Sequence, residues 1–114
     1  MNKDLQIAKK TVQTEIQALK KLSLSFNRTS YFSNAVNMLS KMKGKCLVIG
    51  VGKSYLVSLK VSATLSSLGT PSVAFSANDL QHGGLGAIQK NNDVLLIFSV
   101  SGESSELNSI LRYA

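Results

Sequence analysis

Cysteine, proline and tryptophan are nearly missing from this chain, which has one Cys, one Pro and no Trp in 114 residues. With Cys46 alone, no intramolecular disulfide can form. Cys46 and the single histidine, His82, cannot build a zinc cluster, so no metal site is expected. Cys46 sits in an apolar run, where packing is the simpler reading, and the chain fits a reducing cytoplasm. No apolar run approaches the ~18 residues of a membrane span. The opening Met-Asn-Lys-Asp is not followed by the apolar core of a signal peptide. We therefore expect a soluble, cytoplasmic protein with no membrane partner.

Acidic residues are also scarce, with 6 Asp and Glu against 13 Lys and Arg and a formal charge of +7. Such an excess attracts phosphates, nucleic acid or an acidic surface. The cations are nonetheless scattered or gathered toward the N-terminal end, at Lys3, Lys9, Lys10, Lys20, Lys21 and Arg28. The aromatic–basic alternation of single-strand binding platforms is absent. A solvated helix face accounts for this pattern, and no nucleic-acid partner is expected.

Apolar residues make up 44% of the chain. That suffices for one small packed domain burying roughly two-thirds of its unfolded surface. Residues 3–24 carry Leu5, Ala8, Val12, Ile16, Leu19 and Leu22 at three- and four-residue steps, the period of an amphipathic helix. Residues 32–42 repeat the pattern more briefly. The period then changes at Cys46-Leu47-Val48-Ile49, a continuous run closed by Gly50 that reads as a strand buried on both faces. Residues 54–68 read as a helix with Leu56, Val57, Val61, Leu65 and Leu68 on its apolar face, Gly69 at its end and Pro71 beyond. Ser72–Phe75 and Asp93–Ser99 read as two further strands. A last helix is expected from Ser101, with Ser101 or Gly102 near the N-cap and Glu103 and Glu106 in the first turn.

Strands separated by helices predict βαβ units and a parallel sheet, an α/β fold. A doubly wound sheet usually holds more than three strands, so the sequence reads as the first part of a longer domain.

In an open parallel sheet, ligands bind beyond the carboxyl ends of the strands. The loop Gly50-Val51-Gly52-Lys53-Ser54 combines glycines that permit close backbone approach with a helix start, a cation and a hydroxyl. It is not a Walker A loop, because Leu47 stands where the first glycine is needed, and Tyr55 breaks the dinucleotide pattern. Alone, such a loop is as readily a plain turn. The loop Ser99-Val100-Ser101-Gly102-Glu103-Ser104-Ser105-Glu106 crowds four serines and two glutamates into a strand-to-helix turn. One N-cap explains Ser101; phosphate binding without a metal explains the rest. His82 follows the second strand and so falls at the same end of the sheet.

Together Gly50-Val51-Gly52-Lys53-Ser54, Ser67-Leu68-Gly69-Thr70-Pro71, Gln81-His82-Gly83 and Ser101-Gly102-Glu103-Ser104-Ser105-Glu106 resemble the sugar isomerase (SIS) domain, and within it the arabinose-5-phosphate isomerase family. The resemblance implies a three-layer, doubly wound parallel sheet of the SIS type. It divides the chain into an N-terminal helical segment, residues 1–42, packing on the domain, and the first part of the SIS domain, residues 43–114, without the CBS domains that often follow. It implies interconversion of arabinose 5-phosphate and ribulose 5-phosphate for Kdo synthesis in lipopolysaccharide or capsule, with no cofactor. The alternative it leaves is a non-catalytic sugar-phosphate-binding module or regulator. By the same resemblance, Gly52, Ser54, Ser99, Ser101 and Ser104 hold the phosphate, and Lys53, His82 and Glu106 belong to the catalytic group.

Aldose–ketose isomerisation needs a base, a proton shuttle and a group that steadies an oxyanion. Glu106 is either that base or a first-turn carboxylate facing the helix dipole; Lys53 polarises the carbonyl or pairs with the phosphate. Tyr55, Asp79 and Gly84 depart from the family's usual Gly, Glu and Asp. A second glutamate and histidine, which the family carries later in the domain, are not in these residues. SIS domains commonly pair, so a homo-oligomer is expected, with sugar phosphate as the small-molecule partner.

Overall fold

The computed structural model describes residues 2–102 and 105–114. The chain divides into two compact units, one ending at Asn37 and one spanning Met38–Ala114. The first holds α1 (Lys3–Ser25) and most of α2 (Tyr31–Ser40). Asn2 caps α1, its side chain accepting the N–H of Asp4 at 2.9 Å. The stripe expected from the sequence runs along α1, with Leu5, Val12, Ile16, Leu19 and Leu22 all exposed. Phe26 and Phe32 rings lie 5.1 Å apart between the two helices.

The second unit is a parallel sheet with helices on both faces. It runs β1 (Cys46–Gly50), α3 (Lys53–Ser67), β2 (Ser72–Ser76), α4 (Ala77–Gln81), a 3-10 turn (Gly84–Ala87), β3 (Val94–Phe98) and α5 (Ser105–Tyr113). Strand order is β2-β1-β3, all parallel, with Val48 opposite Ala74 on one side and Leu96 on the other. β1 is therefore central, and every one of its residues is buried. Burial also pushes the Cys46 thiol up, which leaves it protonated and inert.

Successive side chains of β1 point to opposite faces. Leu47 and Ile49 join Ala77, Leu80, Ile88, Leu107 and Ile110 in one apolar cluster under α4 and α5. Fully burying side chains of that size is worth about 1.5–3 kcal/mol each. On the other face lies α3, and there the sequence-based expectation needs correcting. Leu56, Val57 and Leu68 are exposed, while Ser58 and Ser62 are the buried residues of the helix. Small side chains let α3 lie close on β1, and the Ser58 hydroxyl is satisfied by donating to the Ser54 carbonyl at 2.9 Å. The contact is so close that a Cβ at Gly50 would run into the Ser54 backbone. α3 ends in a Schellman motif: Gly69 has φ 94, Thr70 N–H bonds to Leu65 O and Gly69 N–H to Ser66 O.

Two short elements escaped the sequence reading, α4 and the 3-10 turn. The signal for α4 was present in Ser76-Ala77-Asn78-Asp79, since the Ser76 hydroxyl accepts the N–H of Asp79 at 3.1 Å. α5 is described from Ser105, with Glu106 in its first turn as expected; Ser101 and Gly102 are not helical, Gly102 having φ 70. Glu103 and Ser104 lie outside the described residues.

Candidate functional site

The chain leaves β1 for β2 on one side and later crosses to β3 on the other. The carboxyl ends of β1 and β3 are thus a topological switch point, where the two loops diverge and leave a crevice. An open cleft of about 220 Å³ lies there, lined by Val51, Ser54, Phe98, Ser99, Val100 and Ser101.

The floor comes from the first loop. Gly52 caps α3 with φ 57 and ψ −123, a conformation that disfavours any side chain, and no atom lies within 4 Å of where a Cβ would stand. The chain turns sharply, with Ser54 N–H bonded to Val51 O at 3.1 Å and Tyr55 N–H to Gly52 O at 3.0 Å. The positive end of the α3 dipole faces this turn. Lys53 is the first helical residue and exposed, with Ser54 half-buried beside it.

The wall comes from the second loop. Ser99 Oγ accepts the N–H of Gly102 at 2.8 Å, which folds the loop back on itself and leaves the hydroxyl hydrogen to donate elsewhere. Ser101 lies on the same wall and is exposed. Of the serines assigned to phosphate, Ser54, Ser99 and Ser101 thus converge on one cleft. Ser104 lies outside the described residues.

His82 and Glu106 sit elsewhere on this end of the sheet. His82 is the C-cap of α4, exposed, its N–H bonded to Asn78 O at 3.2 Å. Gly83 follows with φ 114 and turns the chain away. Glu106 is half-buried in the first turn of α5. Neither belongs to the cleft lining above. Sequence reasoning missed Val51, Phe98 and Val100 as lining residues, because apolar side chains at a strand end carry no chemical signature of their own. Among the described residues no three His, Cys, Asp or Glu side chains group as a metal site, and no helix is long and apolar enough to cross a membrane.

The SIS domain model matches residues 38–114, which is more than half of the chain. The chain belongs to the SIS domain family. Arabinose 5-phosphate isomerase KdsD of Yersinia pestis is 35% identical over 106 residues, covering 93% of this chain and 31% of that protein. Arabinose 5-phosphate isomerase GutQ of Escherichia coli K12 is 35% identical over 107 residues, covering 94% and 32%. The SIS chain thus spans about a third of the length of these curated relatives. Among solved structures, Escherichia coli CFT073 c3406 in complex with arabinose 5-phosphate superposes with a TM-score of 0.85 at 34% identity, covering 98% of this chain and 59% of that one. A putative phosphosugar isomerase involved in capsule formation from Bacteroides fragilis gives 0.67 at 28% identity, covering 90% and 56%.

Proposed function

We propose that this SIS chain binds a sugar phosphate in the switch-point cleft and belongs to an enzyme that interconverts arabinose 5-phosphate and ribulose 5-phosphate. The observation that carries the reading is the convergence of Ser54, Ser99 and Ser101 at the start of α3. Hydroxyl donors beside the positive end of a helix suit a phosphate and need no metal. The relatives named arabinose 5-phosphate isomerase and the neighbour bound to arabinose 5-phosphate support the choice of sugar. That reaction places the enzyme in Kdo supply for lipopolysaccharide or capsule, in the cytoplasm.

With the phosphate on the serines, the sugar extends toward Lys53, His82 and Glu106. The reaction moves a proton from the carbon beside the aldehyde to the aldehyde carbon, through an enediol. Glu106 is a carboxylate suited to lifting that proton, Lys53 a cation suited to the developing oxyanion, and His82 a group able to relay a proton between oxygens. Apolar surface left exposed on α1 and α3, including Leu19 at 65% and Leu56 at 64%, supports association with a second copy.

One observation favours a second reading. Among the described residues, the cleft lining contains hydroxyl and apolar groups but no base, which fits a non-catalytic sugar-phosphate-binding module. Thermal unfolding with arabinose 5-phosphate, and with inorganic phosphate as control, tests the binding; turnover of the same sample separates the readings. Ligand at about 100 times its dissociation constant adds roughly 2.7 kcal/mol, several degrees for a domain of this size. A sugar-phosphate shift beyond the phosphate control supports the proposal, and turnover selects the isomerase. A cooperative melt that neither ligand moves removes it. Light scattering on that sample checks the oligomer, which a monodisperse monomer excludes.

A further inference from the structure

α4 is five residues long, too short to hold a fixed place by its own backbone bonds. Two kinds of contact hold it. Ala77 and Leu80 are fully buried in the apolar cluster with Leu107 and Ile110 of α5. The other contact is polar and more directional. Gln81 Nε2 donates to Ser109 Oγ at 2.8 Å and to the backbone carbonyl of Glu106 at 3.3 Å. Ser109 Oγ in turn donates to that carbonyl at 3.2 Å. The three groups close a small triangle between residues that are 25 and 28 positions apart in the chain.

The apolar contacts resist separation of the two helices but slide with little directional cost. A hydrogen-bonded amide fixes rotation and register, because its two N–H groups point in set directions. It also acts at one place in each helix. In α4 that place is the residue before His82; in α5 it is the peptide carbonyl of Glu106 itself. We propose that Gln81 is a positioning residue, which sets the first turn of α5 against the end of α4 and so holds Glu106 in fixed relation to His82. The inference rests on the reading that these two side chains face the sugar while the serine cleft holds the phosphate. Gln81 does not line the cleft, so the proposal predicts a larger effect at the sugar end than on the serines that line the cleft.

Gln81 is exposed, so Gln81→Met keeps the side-chain length, removes both donors and leaves the core intact. Two measurements on the full chain decide the matter. In amide hydrogen exchange, the α5 amides are expected to exchange about tenfold faster in Gln81→Met, with β1 amides unchanged. In titrations, arabinose 5-phosphate affinity is expected to fall about tenfold while inorganic phosphate affinity stays constant. Unchanged α5 exchange overturns the proposal, and so does an equal loss for both ligands. If the unaltered chain shows no preference for arabinose 5-phosphate over phosphate, the functional reading fails instead, and hydrogen exchange still decides whether Gln81 fixes α5. Ser109→Ala, which removes one corner of the triangle at an exposed position, repeats the exchange test should Gln81→Met melt early.

Discussion

At the amino ends of β1 and β3, Asp93 collects the N–H of Lys45 at 2.9 Å, the Lys45 ammonium at 2.8 Å and the N–H of Gln89 at 2.7 Å. The ammonium also donates to Ala87 O at 2.8 Å. The Asp93 side chain is wholly buried, and Gly44 must be glycine because a Cβ there would strike its carboxylate. At the carboxyl ends of the same strands stand exposed serines, glycines with positive φ and an open cleft. One end of the sheet uses charge to close the structure, with its polar groups satisfying one another. The other turns hydroxyls and a helix terminus outward. Polar residues at two ends of one sheet thus do opposite work, and each can be removed without the other.

The largest expected effect is at the closed end. Asp93→Ala strips the Lys45 and Gln89 N–H groups and the Lys45 ammonium of their acceptor. Losing one partner of such a pair costs about 3 kcal/mol, read as a lower denaturation midpoint with an unchanged slope. Sugar-phosphate affinity of the folded fraction should not move, which would separate the two ends cleanly. The pH dependence has a fixed sign. Burial alone would raise the Asp93 carboxyl, but the hydrogen bonds from Lys45 and Gln89 and the Lys45 charge outweigh it and hold it below the usual range. Its folded pKa is therefore below the unfolded value of about 3.9. The stabilisation is complete above that value and is lost as pH falls through the folded one. Asp93→Asn should flatten the acid limb of the stability curve.

A smaller effect joins the ends through β1. Gly50→Ala would press a methyl group into the Ser54 backbone, forcing α3 to lift at its first turn. Overpacking of this kind costs about 2 kcal/mol and should also weaken sugar-phosphate binding, because Ser54 moves with the helix. Gly86→Ala is the control. Its Cβ position has no atom within 4 Å, and the change should stay within about 0.5 kcal/mol. Equal effects from the two substitutions would break the claim that β1 and α3 meet without room for a Cβ.

Much of this was legible in the sequence, for identifiable reasons. β1 was read from a continuous apolar run, since a central parallel strand has no wet face to print an alternation. Gly69 and Pro71 announced the end of α3. The burial of α3 was misread because the period of leucines and valines gives an amphipathic stripe, whereas close helix–sheet packing is made by Ser58 and Ser62, which look polar in a sequence. α4 was missed because five residues are too few to show a period. The Lys45–Asp93 clamp could not be read, since its partners are 48 residues apart. The cleft was legible in its serines and not in its shape: glycine and serine crowding marks a turn at a strand end, but which side chains share a cavity depends on strand order.

The smallest effect on stability should come with a clear effect on binding. Ser99 is exposed, and its hydroxyl accepts the Gly102 N–H at the lip of the cleft. Ser99→Ala leaves that N–H to solvent, so stability should change by no more than about 0.5 kcal/mol. The loop would lose its internal tie and the ligand one donor. The lost donor is worth about 1 kcal/mol, which is roughly a fivefold loss of sugar-phosphate affinity. Calorimetric titration beside a denaturation curve measures the two quantities on one sample. A drop in stability without a drop in affinity would place Ser99 with Asp93, as a residue that closes the structure. The reverse result would place it with the open end, where a hydroxyl is kept for a ligand and contributes little to the fold.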